Sequence, residues 1–493
     1  MGFFPCSNIF CITPNEVDLV YFIILLITNT LNWLIGLANM WIVLKHLWVR
    51  PQPQRWPTER RSVAVVVPCY LPNEQAVIMA TVEHMATQLQ YDGPLTIWIV
   101  YNTPHHLGAA QEALDSLDRR EYEPGRSLRI LEVQGSRSKA ENLDRALQLI
   151  EDEFVVLYDA DHRPERASLA MMMREMEERE CCAVQGSTYI RNTRGSWLAR
   201  LVNAEFFVTH FVYFPAMEQL AGTGYFGGSN ALWRTSELRR YGFDKKMHTE
   251  DVDLSARLIL DNRRVHFYPR ARSGELCPAD GRALVTQRLR WFVGWEQVTH
   301  KYYWRVLFSP LSIRQKLGFM YMFHLRWLLL LAALMGAVIN PVITSPFVYP
   351  LPTWSTHIQW TVYITVGLYL FVASFGVCAV VRNEPRKPLN WLWVVLFFVC
   401  SWVYVTVHFT LQTIAFVKVM SGRAGNWVVT ARSDDVSDSP LSRHASVHDG
   451  ALKQVVLHGA NGVNGAGTRS RERASMCGGS AALAPLAEPL LRS

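Results

Sequence analysis

Gln287, Arg290 and Trp291 stand at i, i+3 and i+4 in the helix-like run 282–297. That spacing puts an amide, a guanidinium and an indole on one helical face. The first two are suited to grip a diphosphate, and the third can stack on a sugar ring. Two acidic triplets lie upstream, Asp159-Ala160-Asp161 and Thr249-Glu250-Asp251, and long apolar stretches lie downstream. The combination points to diphosphate and sugar chemistry beside a membrane.

Each motif also has a plainer reading. Asp159 and Asp161, at i and i+2 on a turn after an apolar run, can share a hard divalent cation through oxygen ligands. Such a cation neutralises a departing diphosphate. The alternative is a capping Asp beside a surface Asp. Thr249-Glu250-Asp251 precedes the helical pattern 252–260. Acidic residues are favoured at a helix N-terminus, with Thr249 as N-cap; the functional alternative makes Glu250 or Asp251 a general base. Lys139 opens another helix, where backbone N–H groups favour a phosphate or the ammonium is simply solvated. Gly227-Gly228-Ser229 lets a backbone approach a ligand closely, or forms a tight hairpin. Gln185 and Arg191-Asn192 flank a short strand that can line the same cleft. Gln287, Arg290 and Trp291 could equally belong to a helix docked on a membrane, a reading that absorbs Arg282 and Arg288.

The elements that must position these groups are legible as alternation. Short apolar runs at 63–67, 95–100, 128–133, 154–158 and 265–268 are interleaved with helical patterns across 62–300. This argues βαβ units and a mostly parallel sheet, with ligands at the carboxyl ends of the strands. Pro68-Cys69-Tyr70, Tyr101-Asn102-Thr103 and Asp159-Ala160-Asp161 fall at such ends.

Around this α/β block the chain reads as membrane protein. Half of its 493 residues are hydrophobic and only 18% are charged, which suits a part-membrane chain. Residues 1–16 precede a transmembrane helix at 17–47, and a basic, Pro-rich linker at 48–61 places the following domain in the cytosol. Residues 301–316 read as an interfacial helix, and 317–420 as a membrane region of about three apolar spans. One span before and three after would leave the C-terminus outside, yet Lys418, Arg423 and Arg432 favour inside. A re-entrant element over 390–420, with His408 and Gln412 in it, would reconcile the two. Residues 433–493, rich in Ser, Gly and Ala, are expected to be disordered. The nine cysteines show no zinc spacing and fit a reduced cytosolic face. The net charge of +7 comes with no basic tract interleaved with aromatics, so nucleic acid is not an expected partner. A plasma or Golgi-type membrane is the expected location.

The order of the motifs is more specific than any one of them. Pro68-Cys69-Tyr70-Leu71-Pro72-Asn73-Glu74, Lys139, Asp159-Ala160-Asp161, Gln185, Phe226-Gly227-Gly228-Ser229-Asn230, Thr249-Glu250-Asp251 and Gln287-x-x-Arg290-Trp291 together resemble the family 2 glycosyltransferases. The likeness is to their membrane-embedded branch of cellulose, hyaluronan and chitin synthases, and Trp427-x-x-Thr430-x-Arg432 is similar to a short cytosolic motif, 421–432, of those synthases. The resemblance implies a GT-A fold and inverting transfer from a nucleotide sugar, usually UDP-linked, to a growing polysaccharide. It makes Asp159 and Asp161 the holders of diphosphate and Mg²⁺ or Mn²⁺, and Asp251 the general base. Lys139 would contact the nucleotide; Gln287, Arg290 and Trp291 would bind diphosphate and acceptor sugar, with Gly227, Gly228, Ser229 and Gln185 on the acceptor side. The chain departs from the family after the second strand, where Asn102 replaces a carboxylate that contacts the nucleobase. A glycolipid acceptor, as in ceramide glucosyltransferases, is the nearer alternative, and a non-catalytic membrane scaffold the remoter one.

Overall fold

In β1 (Val63–Tyr70) alternate residues enter different cores. Val63, Val65, Val67 and Cys69 face one hydrophobic cluster, while Ala64 and Val66 face another. A strand buried on both faces must be covered on both sides. The computed structural model shows that covering. It describes residues 56–320 apart from Pro124 and Gly195, together with 322–323, 327, 391–423 and parts of 23–48 and 364–378.

On one face lie α1 (Leu71–Gln88), through Ile78, Val82 and Met85, and a helix introduced below. β2 (Leu95–Asn102), β3 (Glu121–Glu123) and β4 (Arg126–Glu132) follow. On the other face lies α2 (Lys139–Leu149), through Leu143, Ala146 and Leu147. Then come β5 (Phe154–Leu157), the two-residue β6 (Arg163–Pro164) and α3 (Ser168–Glu178), whose Leu169, Met172, Met173 and Met176 complete the first layer. β7 (Ala183–Ile190) leads into α4 (Trp197–Phe207), a π-helical turn over Val208–Tyr213, and α5 (Phe214–Ala221). β8 (Ala231–Arg234), α6 (Glu250–Leu260) and β9 (Val265–Glu275) finish the sheet, in the order β3-β4-β2-β1-β5-β8-β7-β9-β6.

Six of the nine strands run one way, as the expectation of a mostly parallel sheet requires, but the sheet is mixed. β4, β2, β1 and β5 run parallel, as do β7 and β9, but β8 is antiparallel to both of its neighbours. The short β3 and β6 are antiparallel too. β8 escapes sequence reading because it is only four residues long and all but its last are buried. Its reversal matters for the site. Leu157, the end of β5, pairs with Ala231, the start of β8. The glycine turn that precedes β8 therefore sits at the same sheet edge as the carboxyl ends of the parallel strands.

Beyond the sheet, α7 (Gly281–Leu307) is a single helix of 27 residues capped by Asp280, whose side chain accepts from Ala283 N–H. It packs on α6 through Val252, Ala256 and Ile259 against Val298, Tyr302 and Val306, while Leu254 and Leu258 of α6 face the sheet. α6 is thus wedged between sheet and α7. Lys301 and Tyr302 both donate to Asp253 at 2.6 and 2.9 Å, pinning the two helices.

Residues 301–316 are not one helix, contrary to the sequence reading. α7 runs through Trp304 to Leu307, and a separate α8 (Ile313–Met320) follows. Trp304, Phe308, Ile313 and Leu317 are nevertheless exposed. Near the C-terminus come α9 (Trp391–Val399) and α10 (Ser401–Met420), divided at Cys400. α10 is the one helix among the described residues long and apolar enough to cross a membrane. Of the expected spans, the described residues within 17–47 and 358–381 are helical, while 327–342 apart from Trp327 lies outside the described residues, as do 1–16 and 424–493 with the Trp427/Thr430/Arg432 motif.

Candidate active site

A cavity of about 520 Å³ opens at the sheet edge and is walled by α6, α7 and the π-helical turn. Lys139, Asp159, Glu250 and Asp251 line it together with Gln287, Arg290 and Trp291. Residues 152 positions apart in sequence are brought together because α2, α6 and α7 all begin or cross at that edge.

Lys139 is the first residue of α2, whose N-cap Ser138 accepts from Glu141 N–H. The Glu141 carboxylate accepts in turn from the N–H of Arg137, one residue before the N-cap, so the helix start is tied on both sides. Anchored in this way, the Lys139 ammonium donates to Asp159 Oδ1 at 2.5 Å and to the Gly228 carbonyl at 2.8 Å, with Glu250 at 3.7 Å. Burial disfavours the ammonium, but the charges of Asp159 and Glu250 outweigh it and raise its pKa above the ordinary lysine value. The Asp159 backbone N–H donates to Ser229 Oγ at 3.0 Å, which fixes the sheet-edge turn to the glycine turn.

That glycine turn is held from behind. Gln185 is 2% exposed and does not line the cavity. Its Nε2 donates to the carbonyls of Gly186, Ser229 and Asn230, and its Oε1 accepts from Gly227 N–H. The side chain expected on the acceptor side is therefore a brace for the turn. Gly228 has φ +87°, a conformation unfavourable for any side chain, and a Cβ there would lie 2.8 Å from Asp251 Oδ2. Gly227, Gly228 and Ser229 all line the cavity.

Asp251 stands in the first turn of α6. Enclosure by protein, then the adjacent Glu250 charge, push its pKa up to about 7, against the lowering pull of Lys139, Val252 N–H and Arg290. A carboxylate poised there can exchange a proton near neutral pH. Thr249 occupies the N-cap position, but its side chain does not cap the helix. It packs against Gly294 of α7 so closely that a Cβ at 294 would collide with it. Gly294 is what lets the start of α6 approach α7.

Asn102, at the end of β2, is 5% exposed and lines the cavity. It donates to Ser136 O at 3.0 Å and its amide oxygen accepts from Asn142 at 2.8 Å. Asp161 is more withdrawn: 1% exposed, accepting from Leu276 N–H at 3.0 Å, and absent from the cavity wall. Among the described residues no group of three or more His, Cys, Asp or Glu is placed to hold a metal ion. The donor chemistry of Asp159 and Asp161 still suits Mg²⁺ or Mn²⁺, provided a bound diphosphate supplies further oxygens.

Arg288, Glu205 and His210 are among the lining residues to which the sequence reading gave no place in the site. Arg288 faces neither solvent nor lipid: it is 8% exposed, donates to Glu205 at 3.0 Å and lies 4.3 Å over the Trp291 ring. Glu205 was detectable as a lone carboxylate in an apolar helix. His210, in the π-helical turn, is held neutral; burial, with the charges of His162 and Arg288, lowers its pKa to about 3. The stacked Phe206 ring and the tilted Phe214 ring against it had no sequence signature.

Residues 60–294 match the family model described as "Glycosyltransferase like family 2". That stretch is a glycosyltransferase family 2-like domain, built on the nine-stranded α/β sheet. The chain is 21% identical over 320 residues to a poly-beta-1,6-N-acetyl-D-glucosamine synthase of Staphylococcus epidermidis, covering 64% of this chain and 76% of the relative. It is 25% identical over 280 residues to a beta-monoglucosyldiacylglycerol synthase of Trichormus variabilis, covering 55% and 57%. Among solved structures, a mannosyltransferase from Pyrobaculum calidifontis in complex with GDP-Man and Mn²⁺ aligns with TM-score 0.47 and 17% identity, over 82% of this chain and 98% of that one.

Proposed function

We propose that the protein is a membrane-integrated, inverting glycosyltransferase that moves a sugar from a UDP-sugar onto a growing polysaccharide. The observation that supports this most directly is the meeting of Lys139, Asp159, Asp251, Gln287, Arg290 and Trp291 in one cavity. Asp251 takes the proton of the acceptor hydroxyl. The hydroxyl oxygen bonds to the anomeric carbon from the face opposite the diphosphate, the bond from that carbon to the diphosphate oxygen breaks, and the nucleoside diphosphate leaves. Lys139 and Arg290 offset the charge on the departing group, and Gln287 orients it. Asn102 keeps one lone pair of its amide oxygen for a uracil N–H. Trp291 stacks on the acceptor sugar, while Gly227, Gly228 and Ser229 bring backbone close to it. Asp159 and Asp161 would hold Mg²⁺ or Mn²⁺, which supplies charge neutralisation at the diphosphate.

Membrane integration is supported by the apolar exposure of α9 and α10, including Trp391, Val399, Trp402 and Val417, and by the exposed apolar side chains from Trp304 to Leu317. The catalytic domain then faces the cytosol at a plasma or Golgi-type membrane, and the domain division follows the sequence reading except at 301–316. A second reading, transfer of one sugar to a lipid, draws on the similarity to the diacylglycerol glucosylating enzyme. Membranes containing the protein, incubated with a panel of labelled nucleotide sugars, should yield a high-molecular-mass product. A single glycolipid would establish the second reading, and no transfer from any donor would sink both.

A further inference from the structure

In the largely apolar α10, Thr406, Thr410 and Thr413 bond back to carbonyls of their own helix, while Tyr404, His408 and Gln412 are spaced i, i+4 and i+8. That spacing places them in one row. Polar groups on an apolar, lipid-facing helix are expensive unless they turn inward to a partner. All three do. Tyr404 Oη donates to Glu205 Oε1 at 3.0 Å, the His408 ring meets the edge of Phe292 at 5.4 Å, and Gln412 Nε2 donates to Glu296 Oε1. Glu296, 1% exposed, also accepts from Trp327 Nε1 at 3.1 Å. The contacts of His408 and Gln412 are with α7, the helix of Gln287, Arg290 and Trp291, so neither residue needs a re-entrant turn to explain it.

The Tyr404 end of this row leads to the cavity. Glu205 accepts from Tyr404 with one oxygen and from Arg288 Nη2 with the other, at 3.0 Å each. Arg288 in turn covers the Trp291 ring at 4.3 Å. A guanidinium is planar and stacks on an aromatic face, so fixing its plane fixes the ring. We propose that Tyr404 is a positioning residue for the acceptor site, acting through Glu205 and Arg288 on Trp291, and that α10 thereby sets the acceptor face of α7. The consequence for the acceptor rests on the reading of Trp291 given above. The coupling of α10 to α7 does not.

Two measurements on the full chain in detergent micelles test it. The first needs no substrate: amide hydrogen exchange of residues 287–294 in wild type and Tyr404→Phe. The variant should exchange about fivefold faster or more in that segment, matching one lost charge-assisted hydrogen bond, with residues 63–70 unchanged. Equal exchange in 287–294 would overturn the coupling. The second uses UDP-N-acetylglucosamine as donor and an N-acetylglucosamine tetrasaccharide as acceptor. Tyr404→Phe and Arg288→Lys should each raise the acceptor KM about three- to tenfold and move the donor KM by less than about twofold. In combination with Trp291→Ala, Tyr404→Phe should add little. Equal shifts in both KM values, or additivity with Trp291→Ala, would reduce Tyr404 to a structural contact. If Trp291→Ala alone leaves the acceptor KM unchanged while Tyr404→Phe still loosens 287–294, the assignment of Trp291 to the acceptor has failed and the coupling stands.

Discussion

Asp159 and Asp251 line the same cavity in opposite electrical surroundings. Asp159, on the sheet edge, has an ammonium 2.5 Å from its carboxylate and its own amide tied to Ser229. Asp251, on the facing helix, is enclosed beside another carboxylate, and its pKa rises to about 7. The difference teaches that residue type does not fix role. A carboxylate joined to a cation keeps its charge and can organise other ions; one crowded by burial and a like charge can take up a proton. The sheet wall is built to hold charge, and the helix wall to move a proton.

The comparison breaks most sharply at Asp251. Asp251→Asn should lower kcat by about 10²-fold or more while leaving donor KM nearly unchanged, measured in steady-state transfer assays. Comparable activity in the variant would remove Asp251 from the proton-transfer role. Next comes the turn between the two walls. Gly228→Ala forces a side chain into a φ of +87° and 2.8 Å from Asp251 Oδ2, and activity should fall about tenfold or more, since small misplacements of a catalytic group are costly. On the sheet wall, Lys139→Met leaves Asp159 and Glu250 without their shared ammonium, and donor affinity by calorimetry should weaken about tenfold.

pH separates the walls more gently. If Asp251 must be ionised, kcat/KM should fall about tenfold per unit as pH drops below about 7, and Asp251→Asn should abolish that limb. The smallest effect is on stability. The folded pKa of Asp251 lies above its ordinary value, so the folded state holds the proton more tightly than the unfolded chain. This residue's contribution therefore declines as pH rises from about 4 to about 7 and stays low above it. Asp251→Asn should melt higher than wild type at pH 8, with the difference vanishing near pH 4, by thermal denaturation in micelles.

Periodicity made the parallel half of the sheet legible. Its strands begin within two residues of the apolar runs at 63–67, 95–100, 128–133 and 154–158, most clearly for β1 and β5, whose burial on both faces demands unbroken apolar sequence. Strand ends were less legible. β1 continues through Pro68 to Tyr70, since β5 stops opposite Val66 and no partner there needs the missing proline N–H. β8 had too few residues to show a period. In the site, motif order brought Lys139, Asp159, Gly228, Asp251, Gln287, Arg290 and Trp291 to notice, and all of them line one cavity. Gln185 was noticed and given the wrong place, behind the turn instead of before a ligand.

The sequence by itself determined which side chains could do chemistry and that an α/β block stands beside apolar helices, because residue type and period are local properties. Tertiary structure alone decided what each carboxylate and guanidinium does. Asp253 bonds Lys301 and Tyr302, Asp161 withdraws to the Leu276 amide, and Arg288 turns from a supposed membrane contact to Glu205 and Trp291. Charge, burial and hydrogen bonding are set by neighbours that are distant in the chain, and no local pattern carries them.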